Sequence, residues 1–145
     1  MNQLLPSIET QPAADDLAFL EEQINEYNMT QTGRRDFAWL TLFVRNTAGA
    51  IEAGIIAYTW AGACRVQSLW VQEARRGQGY GRALLSAAEE EARRRGCHVI
   101  VLETHSFQAP AFYQRLGYTI SGWHEDYPVG HRQYFLHKRL SDQAL

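Results

Sequence analysis

The chain has 145 residues, of which 46% are hydrophobic and 21% charged, proportions typical of one globular domain and unlike those of a disordered chain. The formal net charge of −2 lacks the basic excess of a general nucleic-acid binder, and no segment has the ~20 consecutive apolar residues of a membrane span. We therefore expect a single domain, residues 1–145, without nucleic-acid or membrane partners. Because no signal-peptide pattern opens the sequence, we expect the protein in the cytoplasm.

The first half of the sequence predicts a strand, a helix and a group of three strands. Residues 4–9 suggest a short strand. A helix from about Asp15 to Asn28 follows, since apolar residues recur there at helical spacing. Three runs rich in branched and aromatic residues, joined by short turns, predict an antiparallel meander. These runs are residues 37–45, 51–61 and 64–72.

The second half alternates helices and strands. A helix at 79–95 carries Glu–Arg pairs four residues apart, Glu89–Arg93 to Glu91–Arg95, which indicate a solvated face. The remaining predicted elements are a buried strand at 98–103, a helix at 107–116 beginning at Ser106, and closing strands at 118–124 and 133–140. We therefore predict an α/β (α+β) fold with a mixed, mostly antiparallel central sheet and one parallel β-α-β crossover.

The segment before the central helix is rich in glycine and arginine and reads Arg75-Arg76-Gly77-Gln78-Gly79-Tyr80-Gly81. Glycines permit a left-handed backbone and close ligand approach, and the helix N-terminus supplies unpaired N–H groups, which together suit a phosphate. A Walker loop would need a lysine, and a dinucleotide fingerprint would need glycine instead of Arg82. The remaining pattern, Arg76-x-x-Gly79-x-Gly81, is compatible with a phosphate site and with a tight helix start.

Three blocks carry a family resemblance. They are Leu69-Trp70-Val71 followed by Arg76-x-x-Gly79-x-Gly81, then Leu102-Glu103-Thr104, then Phe112-Tyr113-Gln114-Arg115-Leu116-Gly117-Tyr118. In this order they resemble the GCN5-related N-acetyltransferase (GNAT) superfamily over about residues 36–140. The resemblance implies a GNAT-like fold with a V-shaped gap between the strands at 64–72 and 98–104. It also implies acetyl-CoA as co-substrate and direct acetyl transfer to a primary amine in a ternary complex.

The acceptor implied is a small molecule. A protein or peptide amine is the alternative substrate, and a non-catalytic acyl-CoA-binding module is the alternative function. A homodimer is compatible with the habits of the family. The sequence itself argues against a bound metal, because the histidines have no metal-ligand spacing with Cys64 or Cys97.

The resemblance implies roles for individual residues. Tyr113 corresponds to the general acid near the CoA sulfur, with aromatic packing as the alternative. Glu103 corresponds to a general base, with a salt-bridged strand residue as the alternative, and His105 or the Glu125-Asp126 pair are further candidates. The implied CoA-binding residues are Trp70, Val71, Arg76, Gly77, Gln78, Gly79, Tyr80, Gly81, Arg82, and Ser106 and Gln108, which replace a family asparagine. The implied acceptor-binding residues are Tyr27, Asn28, His105, Glu125 and Asp126.

Overall fold

The computed structural model describes residues 4–140, and the chain divides into two compact units, Met1–Arg35 and Asp36–Leu145. The expectation of one domain stays a prediction. In the first unit, residues 4–9 form no strand, so that prediction is wrong; Pro6 lacks the N–H that a ladder needs. Helix α1 (Ala14–Thr32) continues past the predicted end at Asn28 to Gly33, whose left-handed φ of 67° ends it.

The second unit is built on a six-stranded sheet in the order β1-β2-β3-β4-β6-β5. The first three strands form the predicted antiparallel meander, β4 pairs parallel with β3, and β6 lies antiparallel between β4 and β5. The fold is therefore the mixed sheet with one parallel crossover that the sequence predicts. The strands are β1 (Ala38–Arg45), β2 (Ile51–Trp60), β3 (Ala63–Val71), β4 (Val99–His105), β5 (Thr119–Glu125) and β6 (Arg132–Arg139).

Two helices contribute to the core of this unit. Helix α2 (Tyr80–Arg94) forms the crossover between β3 and β4 and buries an apolar stripe of Leu84, Leu85, Ala88 and Ala92. Helix α3 (Pro110–Arg115) is shorter than predicted. Ser106 does not cap it, because the Ser106 hydroxyl accepts a hydrogen bond from the Arg132 N–H at 3.1 Å. We call the sheet face packed against α2 the inner face and the opposite face the outer face.

The parallel pair β3–β4 is joined only at its beginning, where Ala63–Arg65 face Val99–Val101. The cause lies in β3. Ala57 of β2 faces Val66, whereas the preceding Ile56 faces Ser68, so one residue is extra in β3. Such a bulge bends its strand and increases the local twist. The rest of β3 and the end of β4 therefore have no mutual pairing, which leaves a gap between them.

One carboxylate of α2 lies in the protein interior. Glu89 is 6% exposed and accepts hydrogen bonds from the Tyr118 hydroxyl at 2.9 Å and from Lys138 Nζ at 3.0 and 3.2 Å. The predicted solvated face is therefore wrong at Glu89, because Lys138 of β6 and Tyr118, the residue before β5, supply its donors. Two of the three predicted pairs form, Glu89–Arg93 at 3.8 Å and Glu91–Arg95 at 2.8 Å. The predicted Glu90–Arg94 pair does not, since Arg94 pairs with Glu91 at 2.6 Å.

Candidate active site

The loop between β3 and α2 is held in shape by its own side chains. Arg76 Nε donates to the Val71 carbonyl at 3.0 Å, and Gln78 Nε2 donates to the Ala74 carbonyl at 3.1 Å. Gly77 and Gly79 adopt left-handed φ values of 74° and 89°, which glycine tolerates best. A Cβ at either glycine would meet nothing within 4 Å. The space beside the loop is therefore open to a ligand.

The same loop presents unpaired backbone donors. Within residues 4–140, none of the N–H groups from Gly77 to Arg82 donates a hydrogen bond, and the first that does is that of Ala83, to the Gly79 carbonyl at 3.0 Å. These donors surround the N-terminus of the 15-residue α2, where the helix dipole is positive. The geometry fits a phosphate group, and no side chain occupies its place.

Gly81 has a packing role instead. A Cβ there would lie 3.3 Å from Phe112 Cζ and 3.8 Å from Val71 Cγ2, so the end of β3, the start of α2 and α3 converge at this point. A cavity of about 450 Å³ adjoins them. Because its lining includes two guanidinium groups beside an aromatic ring, it suits the extended part of an anionic ligand. The lining residues are Arg82, Phe112, Arg115 and Leu116.

Tyr113 follows Phe112 on α3 and belongs to the core, with 8% of its surface exposed. Burial raises the pKa of its phenol to about 12, so the hydroxyl stays protonated at neutral pH and can donate. Its hydroxyl has no hydrogen-bond partner among the described residues. Its ring lies against Phe112 at 5.1 Å and Tyr118 at 5.8 Å. The geometry thus suits proton donation and also shows the packing that the sequence left as the alternative.

Glu103 lies on the outer face, just past the last paired residues of β3 and β4. Its Oε1 accepts a hydrogen bond from Arg65 at 3.0 Å, and its Oε2 accepts one from Gln133 Nε2 at 3.1 Å. A cavity of about 440 Å³ beside it has Val101 and Phe135 in its lining. The carboxylate therefore has the ion-paired arrangement that the sequence left as the alternative, and Arg65 and Gln133 are partners that sequence reasoning missed.

His105 ends β4, two residues after Glu103. Its Nδ1 lies 2.9 Å from the Tyr127 carbonyl oxygen. The Phe107 ring stacks on the imidazole, with centroids 5.2 Å apart and planes 2° apart, and Tyr127 meets it edge-on at 5.6 Å. Phe107 and Tyr127 carried no sequence signal for this role, because only the folded loops bring them to His105.

Hydrogen bonds and an ion pair close the loop between β5 and β6. Glu125 pairs with Arg132 at 2.8 Å and accepts from Trp123 Nε1 at 3.0 Å. Asp126 accepts from the Gly130 N–H at 3.2 Å. Both predicted acceptor-binding carboxylates therefore already have partners that fix the loop.

The remaining predicted site residues lie in three places. Ser106 bonds to the start of β6, and Gln108 Oε1 accepts from the His105 N–H at 2.8 Å, so both stabilise the end of β4. Trp70 is 50% exposed and points to the outer face. Tyr27 and Asn28 belong to α1, in the first unit, and their predicted contact with the acceptor stays a prediction.

No cysteine is placed to act as a nucleophile. Cys64 and Cys97 are buried, and burial raises the pKa of the Cys64 thiol to about 12, which suppresses the reactive thiolate. Over residues 4–140, no group of three or more His, Cys, Asp or Glu side chains can hold a metal ion. In that same range, no helix is both long and apolar enough to cross a membrane.

The family model, the related sequences and the solved structure that match this chain are all described as acetyltransferases. Residues 38–120 match the family model described as an acetyltransferase (GNAT) domain. The chain is 37% identical over 103 residues to an acetyltransferase from Agrobacterium fabrum, covering 71% of this chain and 75% of that protein. It is 39% identical over 93 residues to the blasticidin-S acetyltransferase of Streptomyces morookaense, covering 63% and 68%. A crystal structure of an acetyltransferase from Bacillus cereus matches with a TM-score of 0.78 and 34% identity, covering 92% of this chain and 97% of that one.

Proposed function

This chain belongs to the GNAT family of acetyltransferases, and from that membership we propose that it acetylates the primary amine of a small molecule. It is an acetyl-CoA-dependent N-acetyltransferase. Acetyl-CoA supplies a thioester carbonyl carbon and a thiolate leaving group. The observation that carries the assignment of its site is the run of unpaired backbone N–H groups from Gly77 to Arg82, which is shaped and charged for a diphosphate.

The proposed CoA site continues on both sides of that loop. The edge of β3 near Trp70 and Val71 faces the gap, where its backbone groups have no partner on β4 and suit the amide-bearing pantetheine arm. Arg82 and the nearby Arg115 line the adjoining cavity and suit the nucleotide end. The proposed CoA-binding residues are Trp70, Val71, Arg76, Gly77, Gln78, Gly79, Tyr80, Gly81, Arg82, Ser106 and Gln108.

Transfer needs one group to protonate the departing sulfur and one to take a proton from the amine. Tyr113 is the proposed donor, since its buried phenol keeps its proton at neutral pH. Glu103 and His105 are the two candidates for the acceptor of the amine proton, because both lie on the outer face beside the gap. Direct transfer also fits a chain whose described cysteines are buried.

The relative that is named for blasticidin S supports a small-molecule acceptor over a protein or peptide amine. Glu125, Asp126 and His105 remain proposed acceptor-binding residues, and the same role for Tyr27 and Asn28 of the first unit stays a prediction. The homodimer and the cytoplasmic location stay predictions.

Calorimetry with acetyl-CoA tests the donor site. Gly79→Val places a β-branched side chain at φ 89° in the open space of the loop and should abolish acetyl-CoA binding. Gly49→Val is a matched control, because Gly49 has a φ of 85° and equally open surroundings but lies in the turn between β1 and β2. The backbone strain of about 1–2 kcal/mol is similar in both variants.

We expect Gly49→Val to bind acetyl-CoA like the wild type. Unchanged affinity in a folded Gly79→Val protein would contradict the phosphate site. Release of CoA in the presence of a panel of small amines tests the reaction itself. Binding without turnover across that panel would favour the non-catalytic acyl-CoA-binding module.

A further inference from the structure

His105 ends β4, the strand that borders the gap, and Tyr113 lies on α3. Thr104, the residue before His105, is 3% exposed and belongs to the interior, so the alternation of β4 places the His105 side chain on the outer face. Tyr113 belongs to the core on the inner face. The Tyr113 phenol and the His105 imidazole therefore belong to opposite faces of the sheet that contains the gap between β3 and β4.

A backbone carbonyl determines which imidazole nitrogen carries the proton. A carbonyl oxygen only accepts hydrogen bonds, so the 2.9 Å contact with the Tyr127 oxygen requires a hydrogen on Nδ1 of His105. In the neutral ring, Nε2 then has a lone pair. Nε2 has no hydrogen-bond partner in the part of the chain that the structure describes. The side chain thus presents an unoccupied proton acceptor on the outer face of β4.

The imidazole is held in place before any acceptor arrives. Phe107 stacks on one face with planes 2° apart, Tyr127 packs edge-on, and the His105 N–H donates to Gln108 Oε1 at 2.8 Å. Glu103, in contrast, has both oxygens engaged by Arg65 and Gln133. A proton on Glu103 would remove the charge with which Arg65 is paired, whereas a proton on Nε2 breaks no contact.

We propose that His105 is the general base of the transfer, an inference that rests on the proposed function. The protonated amine gives one proton to Nε2, and its freed lone pair forms the C–N bond with the acetyl carbon as the C–S bond breaks. Tyr113 gives its proton to the CoA sulfur, and the second proton lost by the nitrogen returns to the Tyr113 phenolate. The proton on His105 then passes to solvent, so each acetyl transfer releases one proton.

Other charged and titratable groups lie on the elements around His105, and their effects on a pH profile must be distinguished from the effect of His105. Glu103 precedes it on β4, and the end of β5, the following loop and the start of β6 carry the others. These are His124, Glu125, Tyr127, His131 and Arg132. Glu125 and Arg132 form an ion pair with each other, and the His131 ring packs against Phe107, whose ring also stacks on His105.

The dependence of kcat/KM for the amine on pH tests the proposal. His105→Asn retains an N–H donor toward the Tyr127 carbonyl but has no basic nitrogen. We expect it to remove the rising acid limb of the profile and to lower kcat/KM at neutral pH by about 10²-fold or more. Its affinity for acetyl-CoA should equal that of the wild type.

His131→Asn is the matched control. His131 packs edge-on against the same Phe107 ring, with centroids 4.9 Å apart, but its imidazole forms no hydrogen bond within residues 4–140. We expect its pH profile to follow the wild type. The proposal is overturned if His105→Asn keeps the rising limb, if His131→Asn loses it equally, or if only Glu103→Gln removes it.

A measurement without turnover separates this proposal from the proposed function. Long-range ¹H–¹⁵N spectra of histidine-labelled free protein should show His105 above neutral pH with a hydrogen on Nδ1 and none on Nε2. The opposite tautomer overturns the proposal. If the wild type binds acetyl-CoA but acetylates no amine, the proposed function fails. If it acetylates an amine while His105→Asn does so with an unchanged profile, only the assignment of His105 fails.

Discussion

Removing Lys138 should destabilise the protein strongly, because the buried Glu89 carboxylate loses both hydrogen bonds from Lys138 Nζ and keeps only Arg93, 3.8 Å away, as a cationic partner. Lys138 Nζ donates to both Glu89 oxygens and to the Leu116 carbonyl at 2.9 Å. The Glu89 side chain is 8% exposed and that of Lys138 25%. Breaking such a pair by deleting one member costs about 3–5 kcal/mol. We therefore expect Lys138→Met to lower the melting temperature by about 6–20 °C.

Urea unfolding followed by circular dichroism measures the loss, provided that the slope m is unchanged. The double variant Glu89→Gln/Lys138→Met removes the stranded charge and keeps an acceptor for the Tyr118 hydroxyl, so it should recover most of the loss. Arg94→Ala is the control, since Arg94 forms an exposed pair with Glu91, and its unfolding midpoint should not move. The reasoning is refuted if Lys138→Met is as stable as the wild type, or if the double variant is no more stable than Lys138→Met.

Two further predictions concern buried acidic protons. Tyr113→Phe should lower kcat by about 10²-fold or more while the affinity for acetyl-CoA stays constant, as steady-state kinetics and calorimetry will show; wild-type kcat would restrict Tyr113 to packing. Burial raises the pKa values of Tyr113 and Cys64 to about 12, above the ordinary values of about 10 and 8.5. As the pH rises, the unfolded chain loses these protons at a lower pH than the folded protein does, so the free energy of unfolding should fall from about pH 9 to 12. A urea midpoint that stays constant over this range would contradict this prediction.

The strand that borders the gap shows what periodicity can and cannot predict. The run at 64–72 correctly predicts β3, but a strict alternation through it would place Val66, Ser68 and Trp70 on one face. The bulge reverses the alternation after Val66, so Leu69 and Val71 pack against the core and Trp70 points outward. A single extra residue leaves no mark in composition, because only the partner strand defines which residue is extra.

The Glu–Arg spacing in α2 correctly predicts the pairs Glu89–Arg93 and Glu91–Arg95, but it does not predict the burial of Glu89, for a related reason. Glu89, Glu90 and Glu91 look equivalent in the sequence, and i,i+4 spacing favours pairs for all of them. Their fates differ because of residues distant in sequence: Tyr118 and Lys138 surround Glu89, while Glu90 stays exposed. The glycine loop was predictable because its chemistry is local. Its donors, its φ values and the helix behind it all come from consecutive residues.

The division of the site between two sheet faces has a consequence for specificity. The loop at Gly77–Arg82 and α3 lie with the core on the inner face, whereas Glu103 and His105 lie on the outer face. The gap between β3 and β4 connects the two faces. The outer-face side chains are held by Gln133 of β6 and by Phe107 and Tyr127 of two connecting loops, none of which contributes to the loop at Gly77–Arg82. On the proposed assignment of the acceptor site, changes in those connecting loops should therefore alter which amine is accepted while the loop at Gly77–Arg82 keeps its geometry.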